Sequence, residues 1–196
     1  TGATPRESMP SRDSDTHLSI PAAHWYRSLA AAGLHNPEVH GPARYWLQVE
    51  GSFTRALQRR CRRRFHVDVR YQGFDFPTPE EARRLRQPPR RYAWIREVRL
   101  CGDGEPWVLA RTVIPLGCLE GPNRVLLNLG SRPLGAYLFS DPHWHRGPLE
   151  TGVCRLESPA HPRLARRSLF HNGADALLVS EYLLPTLYQS SPNPDL

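Results

Sequence analysis

The stretch "YAWIREVRLCGDGEPWVLARTV", residues 92–113, decides the fold class because it has the pattern of a β-hairpin. Two segments rich in Val, Leu, Ile and Trp flank "GDG", a sequence that supplies the positive φ angles of a tight turn. Counted with period two, the first segment carries Arg96 and the second carries Arg111 in the middle of its most apolar face. The pattern therefore predicts two neighbouring strands that each point an arginine towards a core.

The last predicted strand, "ALLVSEYLLP" at residues 176–185, repeats this feature with Glu181. Both of its faces are apolar, so Glu181 has apolar neighbours whichever face is inward. An isolated buried charge costs several kcal/mol, so such groups are paired or neutralised. A structural ion-pair network, or one exposed sheet face, is the first interpretation. The second is an anionic ligand, and two arginines against one glutamate favour a small dicarboxylate.

The remaining segments predict a single α+β domain over residues 21–188, built on an antiparallel sheet of about six strands. Polar tails are predicted at residues 1–20 and 189–196. Helices are predicted over residues 21–34, over 53–64 with Ser52 as the cap, and as two short pieces within 118–140 broken near Gly130. Further strands are predicted at 66–76 and 149–157, and a pair over 165–185 is joined by an Asn-Gly turn.

The composition excludes some classes of chemistry. The net charge of +7 comes from arginine alone, since the sequence has no lysine. Schiff-base and lysine-bound pyridoxal chemistry are therefore excluded. The four cysteines form no C-x-x-C pair, which argues against a zinc site. Their wide spacing favours reduced thiols in a cytoplasmic protein, and an extracytoplasmic protein with two disulfides is the open alternative. No apolar run approaches the length of a membrane span.

Two other motifs have competing interpretations. "RRCRRRF" at residues 59–65 holds five arginines and is the strongest argument for nucleic-acid binding. The arginines surround a predicted amphipathic helix, however, so a solvated helix face without nucleic acid is favoured. "HWH" at residues 143–145 offers two metal ligands at alternate positions, but it lacks a third ligand, and a surface loop without metal is favoured.

The sequence resembles the bacterial chorismate pyruvate-lyases. The resemblance is carried by "YAWIREVRLCGDGEPWVLARTVIP", "LGSRPLGAYLF" and "LLVSEYLLPTLY", with weaker support from "VEGSFTRAL", and it covers roughly residues 45–188. It implies a monomeric cytoplasmic enzyme without a cofactor, which converts chorismate into 4-hydroxybenzoate and pyruvate as the entry step of ubiquinone biosynthesis. It also implies an internal ligand cavity beneath two helical flaps.

Carried over by position, the resemblance implies a role for five residues. Arg96 is similar to the residue that holds the ring carboxylate, and Glu181 to the partner of the ring hydroxyl. Arg111 matches the arginine assigned to the enolpyruvyl side, so Arg96, Glu181 and Arg111 are expected to line one pocket. Phe53 and Leu134 match flap positions that meet the ligand through backbone groups. Phe53 stands where an aliphatic residue is expected, and the segment 154–175 is longer than expected before the last strand.

A non-catalytic domain that senses a small acid is the alternative from a different class, since effector domains of some transcription regulators share this fold. Such a regulator normally carries an upstream DNA-binding domain, and the sequence predicts only a tail of about twenty residues before the first helix. Turnover of chorismate, as opposed to binding alone, separates the two hypotheses.

Overall fold

An antiparallel sheet of eight strands organises residues 17–189, the part of the chain that the computed structural model describes. The strands are Ala23–Tyr26 (β1), Phe65–Asp75 (β2), Ala93–Gly102 (β3), Glu105–Pro115 (β4), His145–Arg146 (β5), Glu150–Cys154 (β6), Leu164–Asn172 (β7) and Asp175–Leu183 (β8). Their order across the sheet is β1-β6-β7-β8-β4-β3-β2, and β5 pairs with β7 beside this path.

Short helices connect these strands. The α-helices are Leu29–Gly33 (α1), Arg44–Gln48 (α2), Phe53–Arg60 (α3), Pro79–Arg84 (α4), Leu134–Ser140 (α5) and Pro185–Tyr188 (α6), and 3-10 turns cover Pro37–His40, Leu116–Leu119 and Gly121–Asn128. None of the helices within residues 17–189 has the length and apolar character needed to cross a membrane.

The α+β class and the hairpins predicted from the sequence are confirmed, but the predicted number of about six strands is too low. The two additional strands are β1 and the two-residue β5. The predicted helix over residues 21–34 is wrong in its first half, because Trp25 and its neighbours pair with β6. Gly152 of β6 makes this pairing possible, since a Cβ there would lie only 2.7 Å from the Trp25 ring.

Helix α3 begins as predicted and ends earlier than predicted. The Ser52 hydroxyl accepts a hydrogen bond from the backbone N–H of Arg55, which caps the first turn. The helix ends at Arg60 rather than at residue 64. Beyond it, the Asp103 carboxylate in the β3–β4 turn accepts hydrogen bonds from three consecutive backbone N–H groups, at residues 62–64. These bonds lower the pKa of Asp103 and fix the arginine-rich segment to the hairpin.

Two flaps cover one face of the sheet. We define the first flap as residues 44–60, which contain α2 and α3, and the second flap as residues 116–140, which end in α5. The flaps meet where Gly135 approaches Thr54, since a Cβ on Gly135 would lie 3.1 Å from the Thr54 hydroxyl oxygen. Helices α3 and α5 therefore contact each other above this face of the sheet.

The other face of the sheet is covered by the N-terminal segment and α4. Most of the predicted N-terminal tail and all but the first residue of the predicted C-terminal tail lie outside the described residues. Residues 17–20 are described, and Leu18 and Ile20 pack against an apolar cluster that includes Leu109 of β4 and Tyr182 of β8. The four cysteines are free thiols, as the sequence predicts, and three of them are buried.

Candidate active site

A bulge in the β3–β4 hairpin decides which arginine faces the flaps. At the turn, Cys101 lies opposite Pro106, whereas the next pair up the hairpin is Leu100 with Val108, so Trp107 is an extra residue in β4. Beyond the bulge, Arg96 therefore lies opposite Thr112, and Arg111 lies opposite Glu97. Residues opposite each other share a face. The bulge thus places Arg96 and Arg111 on opposite faces of the sheet.

The face that carries Arg96 lines a cavity beneath the two flaps. Strand β4 contributes Ala110 and Thr112, β7 contributes Arg166 and Ser168, and β8 contributes Glu181. The flaps and the segment after them contribute Phe53, Thr54, Leu134, Leu138, Phe139 and Arg146, and apolar side chains of the strands, such as Val98, complete the lining. The walls are mostly apolar, so the ionic groups are concentrated at a few positions.

Arg96 is buried, and no carboxylate within residues 17–189 pairs with it. Its side chain is 2% exposed. Nη1 donates hydrogen bonds to Gly130 O at 2.8 Å and to the Gln72 side-chain oxygen at 3.2 Å, and Nη2 donates to Arg132 O at 2.8 Å. Burial lowers the pKa of Arg96 to about 10, so the guanidinium stays charged at neutral pH. A buried cation held only by neutral acceptors is a ready binding group for an anion.

Glu181 and Arg166 form a pair across the β7–β8 ladder. The two residues are register partners, and Arg166 Nε lies 3.4 Å from Glu181 Oε1. Nη1 of Arg166 also donates to the carbonyl oxygens of Trp46 and Val49 in the first flap, and its guanidinium lies 4.5 Å from the centre of the Phe53 ring. Burial raises the pKa of Glu181, although the positive charges of Arg166 and Arg146 oppose this shift.

Arg146 lies where the two flaps meet the strand β5. Its Nη1 donates a hydrogen bond to Gly51 O at 3.1 Å, in the first flap just before α3. Its guanidinium lies 5.5 Å from the centre of the Phe139 ring in the second flap. The side chain is half-buried. Three arginines and one glutamate therefore line the cavity.

Arg111 belongs to a separate ionic network on the other face. Its Nε and Nη2 donate to both oxygens of Glu81 at 2.8 and 2.9 Å, and its Nη1 donates to Glu97 at 3.3 Å. Glu97 also contacts His17, at 2.6 Å from Nδ1, and accepts from the backbone N–H of Leu18. For Arg111, the interpretation of the buried charges as a structural ion-pair network is therefore correct.

The structure brings together four of the five residues singled out from the sequence. Arg96, Glu181, Phe53 and Leu134 line one cavity. The expectation that Arg111 lines it with them is wrong, because the bulge at Trp107 turns Arg111 to the opposite face.

Sequence reasoning missed two arginines of the cavity, Arg146 and Arg166. Arg166 carried a usable signal, since in "LARRSLF" it alternates with Leu164, Ser168 and Phe170 on one face. Arg146 carried none, because a two-residue strand has no periodicity. The two histidines of "HWH" are also separated in role: His143 bonds to Asp141, and His145 belongs to β5. Within residues 17–189, no three His, Cys, Asp or Glu side chains are grouped to hold a metal ion.

Comparison with known proteins places the chain in a family. The model of the chorismate lyase family matches residues 25–192. A probable chorismate pyruvate-lyase of Marinobacter nauticus is 70% identical over 187 residues, which are 94% of this chain and 99% of that protein. The chorismate pyruvate-lyase of Hamiltonella defensa is 40% identical over 154 residues, which are 77% of this chain and 83% of that protein.

Among solved structures, the C-terminal domain of a histidine utilization repressor from Pseudomonas syringae pv. tomato aligns with a TM-score of 0.49 at 10% identity, covering 66% of this chain and 98% of that chain. This structural similarity does not identify a family. The match to the family model does, because it spans most of the sequence and includes the hairpin, the second flap and the last strand that build the cavity. This chain belongs to the chorismate lyase family.

Proposed function

We propose that this protein is an enzyme that converts chorismate into 4-hydroxybenzoate and pyruvate. The observation that carries the proposal is Arg96, a buried guanidinium without a carboxylate partner in the described residues, facing a covered cavity that also holds Glu181. The relatives named chorismate pyruvate-lyase support the same reaction. Chorismate carries two carboxylates and one hydroxyl, which match the excess of arginine over glutamate in the cavity.

In this proposal the ring of chorismate lies against the sheet with its carboxylate on Arg96. A guanidinium offers two parallel N–H donors to a carboxylate, and the low dielectric of the cavity strengthens the pair. The Glu181 carboxylate accepts a hydrogen bond from the ring hydroxyl. Phe53 and Leu134 are the first residues of α3 and α5, where the backbone N–H has no acceptor within the helix. Both N–H groups are therefore free to donate to the ligand from the two flaps.

The proposed reaction is an elimination without net oxidation or reduction. The bond between the ring carbon and the enolpyruvyl oxygen breaks, and its electron pair leaves with the oxygen. The carbon that bears the hydroxyl loses a proton, and the electron pair of that C–H bond completes the aromatic ring. The departing enolpyruvate gains a proton on its methylene carbon and becomes pyruvate. The protein's contribution is to hold the substrate in a reactive geometry and to stabilise negative charge on the departing oxygen. Glu181 lies beside the hydroxyl-bearing carbon in this pose and orients it.

We assign Arg111 a supporting role behind the cavity. It holds Glu97, which is the chain neighbour of Arg96 on β3, and it connects that strand to α4 through Glu81. This network fixes the backbone from which Arg96 projects. Arg111 therefore acts on the substrate only through the position of β3.

The family resemblance also implies an oligomeric state, a cellular location and a pathway for this protein. We propose that the enzyme acts as a monomer in the cytoplasm, and that its product enters ubiquinone biosynthesis. The free thiols at all four cysteines are compatible with a reducing compartment. Sedimentation of the purified protein tests the oligomeric state, since a monomer has the mass of 22.3 kDa.

The deciding experiment is a turnover assay with purified protein and chorismate in the presence of a chelator and without added cofactor. We expect 4-hydroxybenzoate and pyruvate to form in equal amounts, measured by chromatography and by a coupled lactate dehydrogenase assay. Tight binding of chorismate without either product supports the sensing alternative. No binding and no products overturn both hypotheses.

A further inference from the structure

We propose that Arg146 binds the enolpyruvyl carboxylate of chorismate, so that it recognises the substrate and is not used by the aromatic product. This inference rests on the proposed function and adds a specificity-determining residue to it. It replaces Arg111, which faces the other side of the sheet.

The three arginines of the cavity differ in the partners that they already have. Arg166 already has its charge balanced: Glu181 Oε1 lies 3.4 Å from its Nε, although the two form no hydrogen bond, two backbone carbonyls accept from its Nη1, and the Phe53 ring covers one face of the guanidinium. Its side chain is 1% exposed. Arg96 takes the ring carboxylate in the proposed pose. Arg146 is then the lining arginine left for the second carboxylate of the substrate.

Most N–H donors of the Arg146 guanidinium have no acceptor within residues 17–189. The structure gives its guanidinium one hydrogen bond, from Nη1 to Gly51 O. Within residues 17–189, no carboxylate oxygen lies within 4.0 Å of it. Glu181 and Glu50 act on it only through their charges at longer range, and burial lowers its pKa. A guanidinium has five N–H donors, so an anion arriving in the cavity meets several unoccupied ones.

Arg146 lies at the junction of the two flaps. Arg146 contacts both flaps, through Gly51 of the loop before α3 and through the Phe139 ring of α5. The substrate's side chain, which leaves as pyruvate, is therefore held at the junction of the two flaps, while the ring carboxylate lies on the buried Arg96. After the C–O bond breaks, the anion at Arg146 departs with pyruvate, and the aromatic product keeps only its contact with Arg96.

This role of Arg146 is tested by comparing turnover of the substrate with binding of the aromatic product. In Arg146→Gln, we expect kcat/KM for chorismate to fall roughly 10- to 100-fold, the usual effect of losing a charged hydrogen-bonding partner. The inhibition constant of 4-hydroxybenzoate should stay within about threefold of the wild-type value, because the product lacks the second carboxylate. Arg146→Lys keeps the charge without the planar fork and should give an intermediate kcat/KM.

The controls keep this inference distinct from the proposed function. Wild-type protein that does not turn over chorismate contradicts the proposed function itself. If the wild type is active and Arg146→Gln has unchanged kcat/KM, only the role of Arg146 is wrong. Equal weakening of chorismate turnover and 4-hydroxybenzoate binding also overturns it, since that pattern indicates loosened flaps. Thermal unfolding of both variants checks that they fold, and Arg146→Lys provides the measurement if Arg146→Gln does not.

Discussion

Arg96 keeps its charge in a site where an unpaired guanidinium is costly. Its three hydrogen bonds go to neutral oxygens, and two of these are backbone carbonyls at residues 130 and 132, just before α5. The same side chain that awaits a carboxylate therefore also anchors the second flap to the sheet. Under the proposed function, binding of the substrate and the position of this flap both depend on the same guanidinium.

Replacing Arg96 tests this double role. In Arg96→Gln, we expect kcat/KM for chorismate to fall at least about 100-fold, because a charged contact that is buried from water is lost. Binding of 4-hydroxybenzoate should weaken as well, since the product retains the ring carboxylate. This sets Arg96 apart from Arg146, whose loss should spare the product. Both quantities are measured by steady-state kinetics with 4-hydroxybenzoate as the inhibitor.

Arg99 provides the matched control for that variant. It lies on the same strand three residues away, on the opposite face, and pairs with Asp68 with a side chain that is 36% exposed. Exposed pairs contribute little to stability. Arg99→Gln should therefore keep kcat/KM within about twofold of wild type. A similar loss in both variants contradicts the assignment of Arg96.

Among the secondary-structure elements, the β3–β4 hairpin has the largest influence on the site. Its turn is built by Asp103 and Gly104, which both have positive φ. The bulge lies immediately beyond the turn, where the Trp107 ring packs over Gly102. A Cβ at Gly102 would lie 2.1 Å from this ring, so the bulge needs glycine at that position.

We expect Gly102→Ala to destabilise the protein through this clash. The Trp107 ring must move away from the core, and overpacking of this kind typically costs about 1–3 kcal/mol. The free energy of unfolding is measured by urea denaturation. Gly117→Ala is the control, because no atom lies within 4 Å of a Cβ there and its φ is not positive. Equal stability of the two variants would show that the bulge does not depend on this contact.

The same hairpin shows how far the sequence predicts this site. Period-two patterns correctly identified β3, β4 and β8 and placed Arg96 and Glu181 among apolar neighbours. The face of Arg111 was not predictable by counting from the turn, because one extra residue in β4 reverses it. The helical rhythm, the proline at position 21 and Gly33 predict a helix over residues 21–34, but pairing with β6 makes Ala23–Tyr26 a strand.

At the scale of the whole molecule, the sheet separates two ionic systems. One face holds the cavity, where arginines exceed carboxylates, and the other face holds Arg111 with Glu81 and Glu97. The second system joins α4 and the N-terminal segment to the sheet. Breaking a buried pair of this type by removing one partner commonly costs about 3–5 kcal/mol.

This arrangement predicts how the stability changes in acid. Burial alone raises the pKa of Glu81, but the hydrogen bonds and charge of Arg111 outweigh it, so the pKa is lowered from its usual value of 4.5. A lowered carboxyl pKa contributes stability that is present above pH 4.5 and is lost as the pH falls through the folded-state value. We therefore expect Arg111→Met to be less stable than wild type at pH 7, with a difference that shrinks below pH 4.5.

Urea denaturation across this pH range measures the effect, and a double variant sharpens it. Glu81→Gln combined with Arg111→Met removes the uncompensated carboxylate, so it should recover part of the lost stability at pH 7. A difference between wild type and Arg111→Met that is independent of pH would contradict the role of Glu81.

The extra residue at Trp107 also limits how this hairpin can evolve. Deleting one residue from β4 would exchange its two faces, bringing Arg111 beneath the flaps and turning Thr112 towards the acidic side chains. We therefore expect deletion of one residue at the bulge of β4 to abolish the proposed activity even where the hairpin still forms. Length variation among relatives should instead accumulate in connections such as residues 155–163, where added residues leave every strand face unchanged.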